Sequence, residues 1–409
     1  MVQTSEDLFF SDKETKQYLS VTLQLYPTEE QAELIRRTIG SCRFYHNLAL
    51  EDSVWEETES GRSMFKVPYP SIYKQEYDFL REVDSSALSN QQLIVKQTFK
   101  NHHKNPGHFG RPKYRSKRDR NQSYKTSVTN NNIRLEHNIL VLPKVGRVKA
   151  HRYMRVDGVI KNVTIKLEPT GCYYAVVMYD VGVRIKPQRF TEINTLIANQ
   201  RVIGLDMGIN NFIVDSEGLE WENPRFYSNY EEEIAKLDKK MTHKLRAYKS
   251  ITKQSGKKLS ECKNYQKLKQ QRARLYQRLT NRRKDYINKV VSYYLENYDV
   301  VIVEDLGIKG MQKNQKHSKS IGDVSWGLFL GRLKLKALQV GKIVVTVDRY
   351  YPSSQLCNVC STQNKGIRDL SIREWECKTC GMVHNRDINA AINIKQEGIR
   401  EYLVKTNTR

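Results

Sequence analysis

Apolar and polar residues alternate from Ser20 to Tyr26 (SVTLQLY), which predicts a strand, and the period changes at Pro27. Thr28 with Gln31 three residues on makes a capping-box helix start. Ala32, Ile35, Ile39, Cys42, Tyr45, Leu48 and Ala49 then continue a 3.6-residue period. A second helix is predicted from about Ser86 to His102, with a loop from Gly61 to Pro70 between the two. Farther on, the short alternating runs IRLEHNILVLPK, GRVKAHRYM, GVIKNVTIKLEP and CYYAVVMYDV are separated by Gly, Asn or Pro and predict a small β-barrel or sandwich through about Val183. If the strand at residues 20–26 joins that barrel, the helices before residue 108 are an insertion in it.

A different pattern begins at Arg201. VIGLDMG reads as a buried strand, INNFIVDSEG as its hairpin partner, and residues from about Ser228 to Asn297 as two long helices. The strand VVIVED follows, then a helix near residues 325–341, the strand KIVVTVDR, a cysteine-rich window and a terminal helix from about Asn385. Strand, long helices, strand, helix, strand is the order of an RNase H-like α/β fold.

Composition narrows the partner. The 409 residues suffice for several domains, and 69 Lys plus Arg against 45 Asp plus Glu give a net charge of +24. Solubility requires far less, so a polyanion is indicated, with nucleic acid first. No apolar run approaches the roughly 18–20 residues of a spanning helix, and the start MVQTSEDLFFSDKETK has no signal-peptide core. A cytoplasmic, nucleoid-associated protein with no membrane partner is the expectation.

Four of the seven cysteines form Cys357-x2-Cys360 and Cys377-x2-Cys380, with sixteen residues between the pairs. That is zinc-ribbon spacing, and four thiolates leave no open position, so one structural Zn2+ is predicted. Cys42, Cys172 and Cys262 are scattered, which suits a reducing compartment rather than a disulfide framework.

Three acids stand where chemistry would need them. Asp206 ends an apolar strand, and Glu304 follows Val300, Val301, Ile302 and Val303. A buried carboxylate without a partner costs several kcal/mol or stays protonated, so something cationic should face each. The bland readings are that Asp206 caps the turn at Gly208 and that Asp387 is the N-cap of the last helix. Adjacent Glu304 and Asp305 point to opposite faces of a strand, and local sequence does not choose between them. Together, acids at two strand ends and a helix start in a basic protein match a site for two Mg2+ beside a phosphodiester, where Mn2+ can substitute.

Residues 108–126 (HFGRPKYRSKRDRNQSYKT) carry Arg111, Lys113, Arg115, Lys117, Arg118 and Lys125, interleaved with Tyr114 and Tyr124. Cations grip phosphates while aromatic rings stack on bases or sugars, so these residues are candidate nucleic-acid contacts. Thr129 and Asn130, in the following polar turn, are candidates for hydrogen bonds to base edges, against the plainer reading of an ordinary turn. Between Lys236 and Lys289 stand nineteen Lys or Arg and three acids, either a second nucleic-acid surface or a solvated helix face.

In family order, LYPTEEQAELIRRTIGSCRFYHN, GLDMGINNF, VEDLGIKGM, YYPSSQLCNVC and CGMVHNRDINAAINI resemble the motifs of the TnpB family, transposon-encoded nucleases related to type V CRISPR effectors. The resemblance implies metal ligands at Asp206, Glu304 and Asp387, and so chooses Glu304 over Asp305. It implies a multidomain α+β chain: a leader and first strand at residues 1–27, a helical recognition insertion at 28–107, and the rest of an oligonucleotide-binding-like β-barrel wedge domain at 108–190. A RuvC-like nuclease domain at 198–350 and 383–409 would flank the zinc ribbon at 351–382. Guide RNA from the transposon end would direct cleavage of complementary double-stranded DNA beside a short flanking motif, base pairing carrying most of the specificity. No protein oligomer is required. Asn385 departs from the acid common there, and Ser85 and Ser89 are shorter than the polar side chains that could occur near the flanking motif. Two other readings compete: an RNA-guided repressor without nuclease activity, which the three intact acids oppose, and a guide-independent transposase or junction nuclease.

Overall fold

The computed structural model describes residues 15–57, 63–120, 122–151, 156–185, 193–198, 200–255, 259, 262–311, 318–369 and 371–407. The leader at residues 1–14, the Gly61 end of the expected loop and the last residues of the run GRVKAHRYM lie outside the described residues. The chain divides into two compact units, one of residues 16–183 and one containing residues 184–409.

The first unit is built on a seven-stranded sheet. Strand β1 (Thr15–Tyr26) points Val21, Leu23 and Leu25 inward and leads into α1 (Glu29–Glu51). Thr28 Oγ1 accepts from the Gln31 backbone N–H at 3.3 Å, and Gln31 Oε1 accepts from Thr28 N–H at 3.1 Å. Two otherwise orphaned donors are thereby satisfied where the helix starts. Of the periodic residues of α1, Ala32, Ile35, Ile39, Cys42, Tyr45 and Ala49 are buried and Leu48 is half-buried.

The expected loop is partly structured. Strands β2 (Val54–Glu57) and β3 (Ser63–Lys66) pair as a hairpin with Trp55 opposite Phe65, and Phe65 stacks on Phe99 of α4 (Ser85–Lys104), ring centroids 4.2 Å apart. Short helices α2 (Pro70–Glu76) and α3 (Phe79–Glu82) follow the hairpin. Four-residue strands give too short a pattern to read; aromatic contact with α4 stabilises them.

The remaining strands are β4 (Gln122–Ser127), β5 (Arg134–Glu136), β6 (Ile139–Leu142), β7 (Gly146–His151), β8 (Val159–Leu167) and β9 (Tyr173–Ile185), in sheet order β4-β8-β9-β1-β7-β6-β5. Leu25 pairs with Ala150, so the strand before the helices and the strands after them share one sheet. Among the described residues the edge strands β4 and β5 are not bonded to each other.

The second unit holds a five-stranded sheet ordered β12-β11-β10-β13-β14: β10 (Val202–Asp206), β11 (Asn211–Asp215), β12 (Glu220–Glu222), β13 (Val300–Glu304) and β14 (Ile343–Val347). β10 runs antiparallel to β11 and parallel to β13, which is parallel to β14. The other elements are helices α5 (Ile193–Ala198), α6 (Glu231–Ser255), α7 (Lys263–Asn297), α8 (Ile308–Met311), α9 (Ser318–Val324), α10 (Trp326–Gln339) and α11 (Arg386–Asn407), and a two-stranded ribbon of β15 (Glu374–Glu376) and β16 (Val383–Asn385).

Both faces of the central strands are covered, which is why they read as unbroken apolar runs. Ile203, Leu205, Val301 and Val303 pack against Ile287, Val290 and Tyr294 of α7 and Trp326, Phe329 and Leu333 of α10. Val202, Val300 and Ile302 face the other way, against Ile394 and Tyr402 of α11. Each such side chain contributes about 1.5–3 kcal/mol by leaving water.

Candidate active site and metal centre

Strand register puts Asp206 and Glu304 side by side. Leu205 pairs with Val303 in the parallel ladder, so the next residue on each strand, Asp206 and Glu304, is also level. Side chains alternate along a strand, and Asp206 and Glu304 share the parity of Val202, Val300 and Ile302, which face α11. Asp305 has the opposite parity, and its carboxylate receives Arg349 Nη2 at 2.6 Å.

Close packing then places Asp387. A Cβ on Gly204 would lie 2.3 Å from the Ala391 carbonyl oxygen and 2.7 Å from the Lys395 nitrogen, so α11 crosses directly over that glycine. Gly398 is equally tight, its hypothetical Cβ 2.3 Å from Ile302 Cγ2. From Ala391 back to Asp387 is four helical residues, about 6 Å. From Gly204 to Asp206 is two strand residues, about 6.6 Å. The first turn of α11 therefore hangs over the ends of β10 and β13.

The electrostatics record this convergence. Burial, then the Asp387 and Glu304 carboxylates, push the Asp206 carboxyl up to about 8, while Arg386 and the Met207 N–H pull the other way. Burial, reinforced by Asp305, pushes Glu304 up to about 7. Acids held this far above their usual range are short of positive charge, the condition a divalent cation would relieve. Asp215, fully buried on β11, is different: its Oδ1 accepts from Glu217 and Leu219 N–H at 3.0 Å each, which makes it a turn former.

Asp387 is not the N-cap. Asn385 Oδ1 accepts from Asp387 N–H at 3.0 Å and Ile388 N–H at 3.2 Å, so the residue standing in the place of an acid does the capping. The Asp387 carboxylate is instead held by Arg373, whose Nη1 lies 3.2 Å from Oδ1 and 3.0 Å from Oδ2. Arg386 is buried, donates Nη1 to the Asp369 and Ile372 carbonyls, and acts on Asp206 from there. Neither arginine is among the sequence-derived candidates. A charged residue in a loop or beside a motif acid carries no local mark of its contacts.

The four cysteines gather with all sulfurs within 4.8 Å of one another. Cys357 and Cys380 Sγ are 3.6 Å apart, and Cys360 and Cys377 Sγ 3.5 Å. A tetrahedral zinc with bonds of about 2.3 Å separates its sulfurs by about 3.8 Å, so the thiols fit such an ion with a small expansion. Hydrogen bonds led by the Thr362 hydroxyl lower the Cys360 thiol, while, against the Met382 N–H, burial and the neighbouring thiols raise Cys380, so a cation among the four sulfurs would ease loss of their protons. His384 Nε2 lies 3.1 Å from Cys357 Sγ, an outer hydrogen bond that orients the sulfur, and its ring packs on Trp375 with centroids 4.6 Å apart.

The nucleic-acid candidates belong to the other unit and do not all face solvent. Arg111, Lys113, Tyr114, Lys117 and Arg118 are exposed, Tyr114 at 65%. Lys125 is half-buried on β4. Thr129 and Asn130 are exposed in a turn closed by Asn132 Oδ1 accepting from Thr129 N–H.

Two candidates need correction. Tyr124 is 3% exposed in the hydrophobic core, because strand alternation on β4 turns it inward, so its ring cannot stack on a base. Arg115 is half-buried: Asn47 bonds both its backbone N–H and C=O, and its Nη1 donates to Gln91 Oε1 at 3.1 Å. It anchors the extended segment, while its exposed neighbours remain available.

Three family models match: "Probable transposase" at residues 183–315, "Cas12f1-like, TNB domain" at 326–394 and "Helix-turn-helix domain" at 18–60. The last region forms β1, α1 and β2 rather than two helices. The "Putative RNA-guided DNA endonuclease" of Streptomyces pristinaespiralis is 27% identical over 384 residues, covering 92% of this chain and 88% of the relative. The "Putative RNA-guided DNA endonuclease InsQ" of Escherichia coli K12 is 26% identical over 407 residues, covering 94% and 93%. In fold, the chain resembles the mini RNA-guided endonuclease CRISPR-Cas phi3, with a TM-score of 0.52 at 11% identity over 94% of this chain and 92% of that one. Among the described residues no helix is long and apolar enough to cross a membrane.

Proposed function

The chain belongs to the TnpB family, and from that premise we propose that it is an RNA-guided DNA endonuclease, binding a transposon-derived guide RNA and cutting complementary DNA beside a short flanking motif. The convergence of Asp206, Glu304 and Asp387 on the α11 face of the sheet carries this reading. In it the second unit is an RNase H-like nuclease interrupted by a zinc ribbon, and the first a wedge with a helical recognition insertion. Two Mg2+ bound by the three carboxylates would activate water and stabilise the leaving oxygen. The protein's part is to hold those carboxylates at strand ends fixed by register and at a helix start fixed by Gly204. Arg111, Lys113, Tyr114, Lys117 and Arg118 form the exposed backbone-gripping surface, and each phosphate they neutralise makes binding more sensitive to salt.

The test is cleavage of a supercoiled plasmid carrying a guide-matched target, with Mg2+ and RNA transcribed from the transposon end. The unmodified protein is expected to cut, and Asp206→Ala to bind RNA within about twofold without cutting. Equal cutting by the variant would remove Asp206 from the site. The description "Probable transposase" for residues 183–315 favours one other reading, a guide-independent nuclease. Sequencing RNA that copurifies with the protein separates the two, because absence of a discrete transposon-derived species would exclude guidance.

A further inference from the structure

The contact between Arg373 and Asp387 joins the zinc ribbon to the acid site. Arg373 immediately precedes β15, where Glu374 pairs with Asn385, and its carbonyl accepts from the Arg386 N–H at 2.8 Å. The hairpin that carries two of the thiols thus fixes the arginine backbone to the first residue of α11. From there Arg373 Nη1 reaches both oxygens of Asp387. The pair is accessible but not fully solvated, with the aspartate side chain 25% and the arginine 46% exposed.

A guanidinium on both oxygens of a carboxylate holds the place and supplies the charge that a divalent cation would otherwise provide. Among the described residues, the four thiols are the group of three or more potential ligands already gathered around a common point. Asp206, Glu304 and Asp387 stand at the level ends of β10 and β13 and the start of α11, yet they are not gathered in that way. Release of Asp387 from Arg373 would free both of its oxygens for such an ion.

We propose that Arg373 is a built-in competitor for the active-site metal, a lock carried on the ribbon that must leave the Asp387 carboxylate before a divalent cation can engage all three acids. This rests on the reading of the three acids as a metal site. It makes Arg373 a positioning residue whose removal strengthens metal binding. Loss of a merely structural contact would weaken binding by letting the first turn of α11 wander, so the sign separates the two roles.

The experiment measures Mn2+ binding to the zinc-loaded full chain, without nucleic acid, by electron paramagnetic resonance of the free ion. Arg373→Gln is expected to bind Mn2+ about two- to fivefold more tightly, the range that a partly exposed ion pair spans. Arg373→Lys, which keeps the charge but not the planar fork, is expected between the two. Zinc content of one ion per chain in each variant checks that the ribbon is folded. Asp206→Asn is the control. If it abolishes tight Mn2+ binding while Arg373→Gln binds no more tightly than the unmodified protein, the lock is overturned and the metal site stands. Unchanged binding in Asp206→Asn would overturn both.

Discussion

Asp206→Asn offers the sharpest check on the acid cluster, because it removes a charge at nearly constant shape. Burial and the neighbouring carboxylates raise Asp206 from about 3.8 to about 8 in the folded chain. The native state therefore holds a proton that the unfolded chain has already released, and stability without divalent cation falls as pH rises from about 4 through about 8. A tenfold change in proton affinity is worth about 1.4 kcal/mol, so a rise from about 3.8 to about 8 sets a ceiling of roughly 5–6 kcal/mol. Asp206 keeps some solvent access, and water and neighbours relax around an ionised group, so we expect about 1–3 kcal/mol. The variant should gain that much stability over the unmodified protein at pH 9 in Mg2+-free buffer and progressively less toward pH 4, below which the aspartate is protonated in both states and resembles asparagine. Urea unfolding across that range reads the difference, with zinc left in place. Millimolar Mg2+ should restore the unmodified protein at pH 9 and leave the variant unchanged, since only a native state that binds the ion is stabilised. Parallel pH profiles for the two proteins would refute the crowded-carboxylate account.

Gly204→Ala should destabilise the protein by about 1–3 kcal/mol, because its Cβ meets backbone of α11 rather than a movable side chain; thermal unfolding measures this. The same variant should lose cleavage about 100-fold, since an ångström of helix displacement misplaces Asp387. Cys377→Ser should reduce zinc content well below one ion per chain by atomic absorption, and His384→Ala should weaken zinc about 10- to 100-fold in a chelator competition. Tyr124→Ala should cost about 3–5 kcal/mol through a core cavity, in urea unfolding without nucleic acid. Replacing Arg111 and Lys113 together by Ala should leave stability unchanged and lower the salt slope of RNA binding by about 1.4.

The sequence by itself determined what local pattern can encode. Alternation gave most of the longer strands, Thr28 and Gln31 marked the start of α1, the cysteine spacing marked the ribbon, and apolar runs ending in Asp206 and Glu304 marked buried strands with charged ends. These features survive because period, capping and chelate spacing depend on residues near one another in the chain. Only the tertiary structure decided which faces meet. Register between β10 and β13 aligns Asp206 with Glu304 and turns Asp305 toward Arg349, and the crossing of α11 over Gly204 brings Asp387 near Asp206. The β2–β3 hairpin, the burial of Tyr124 and the hold of Arg373 on Asp387 were likewise decided by distant partners. A side chain's periodicity says that it faces inward or outward, but what it faces depends on how separate elements pack, and the acid site and its arginine exist only at that level.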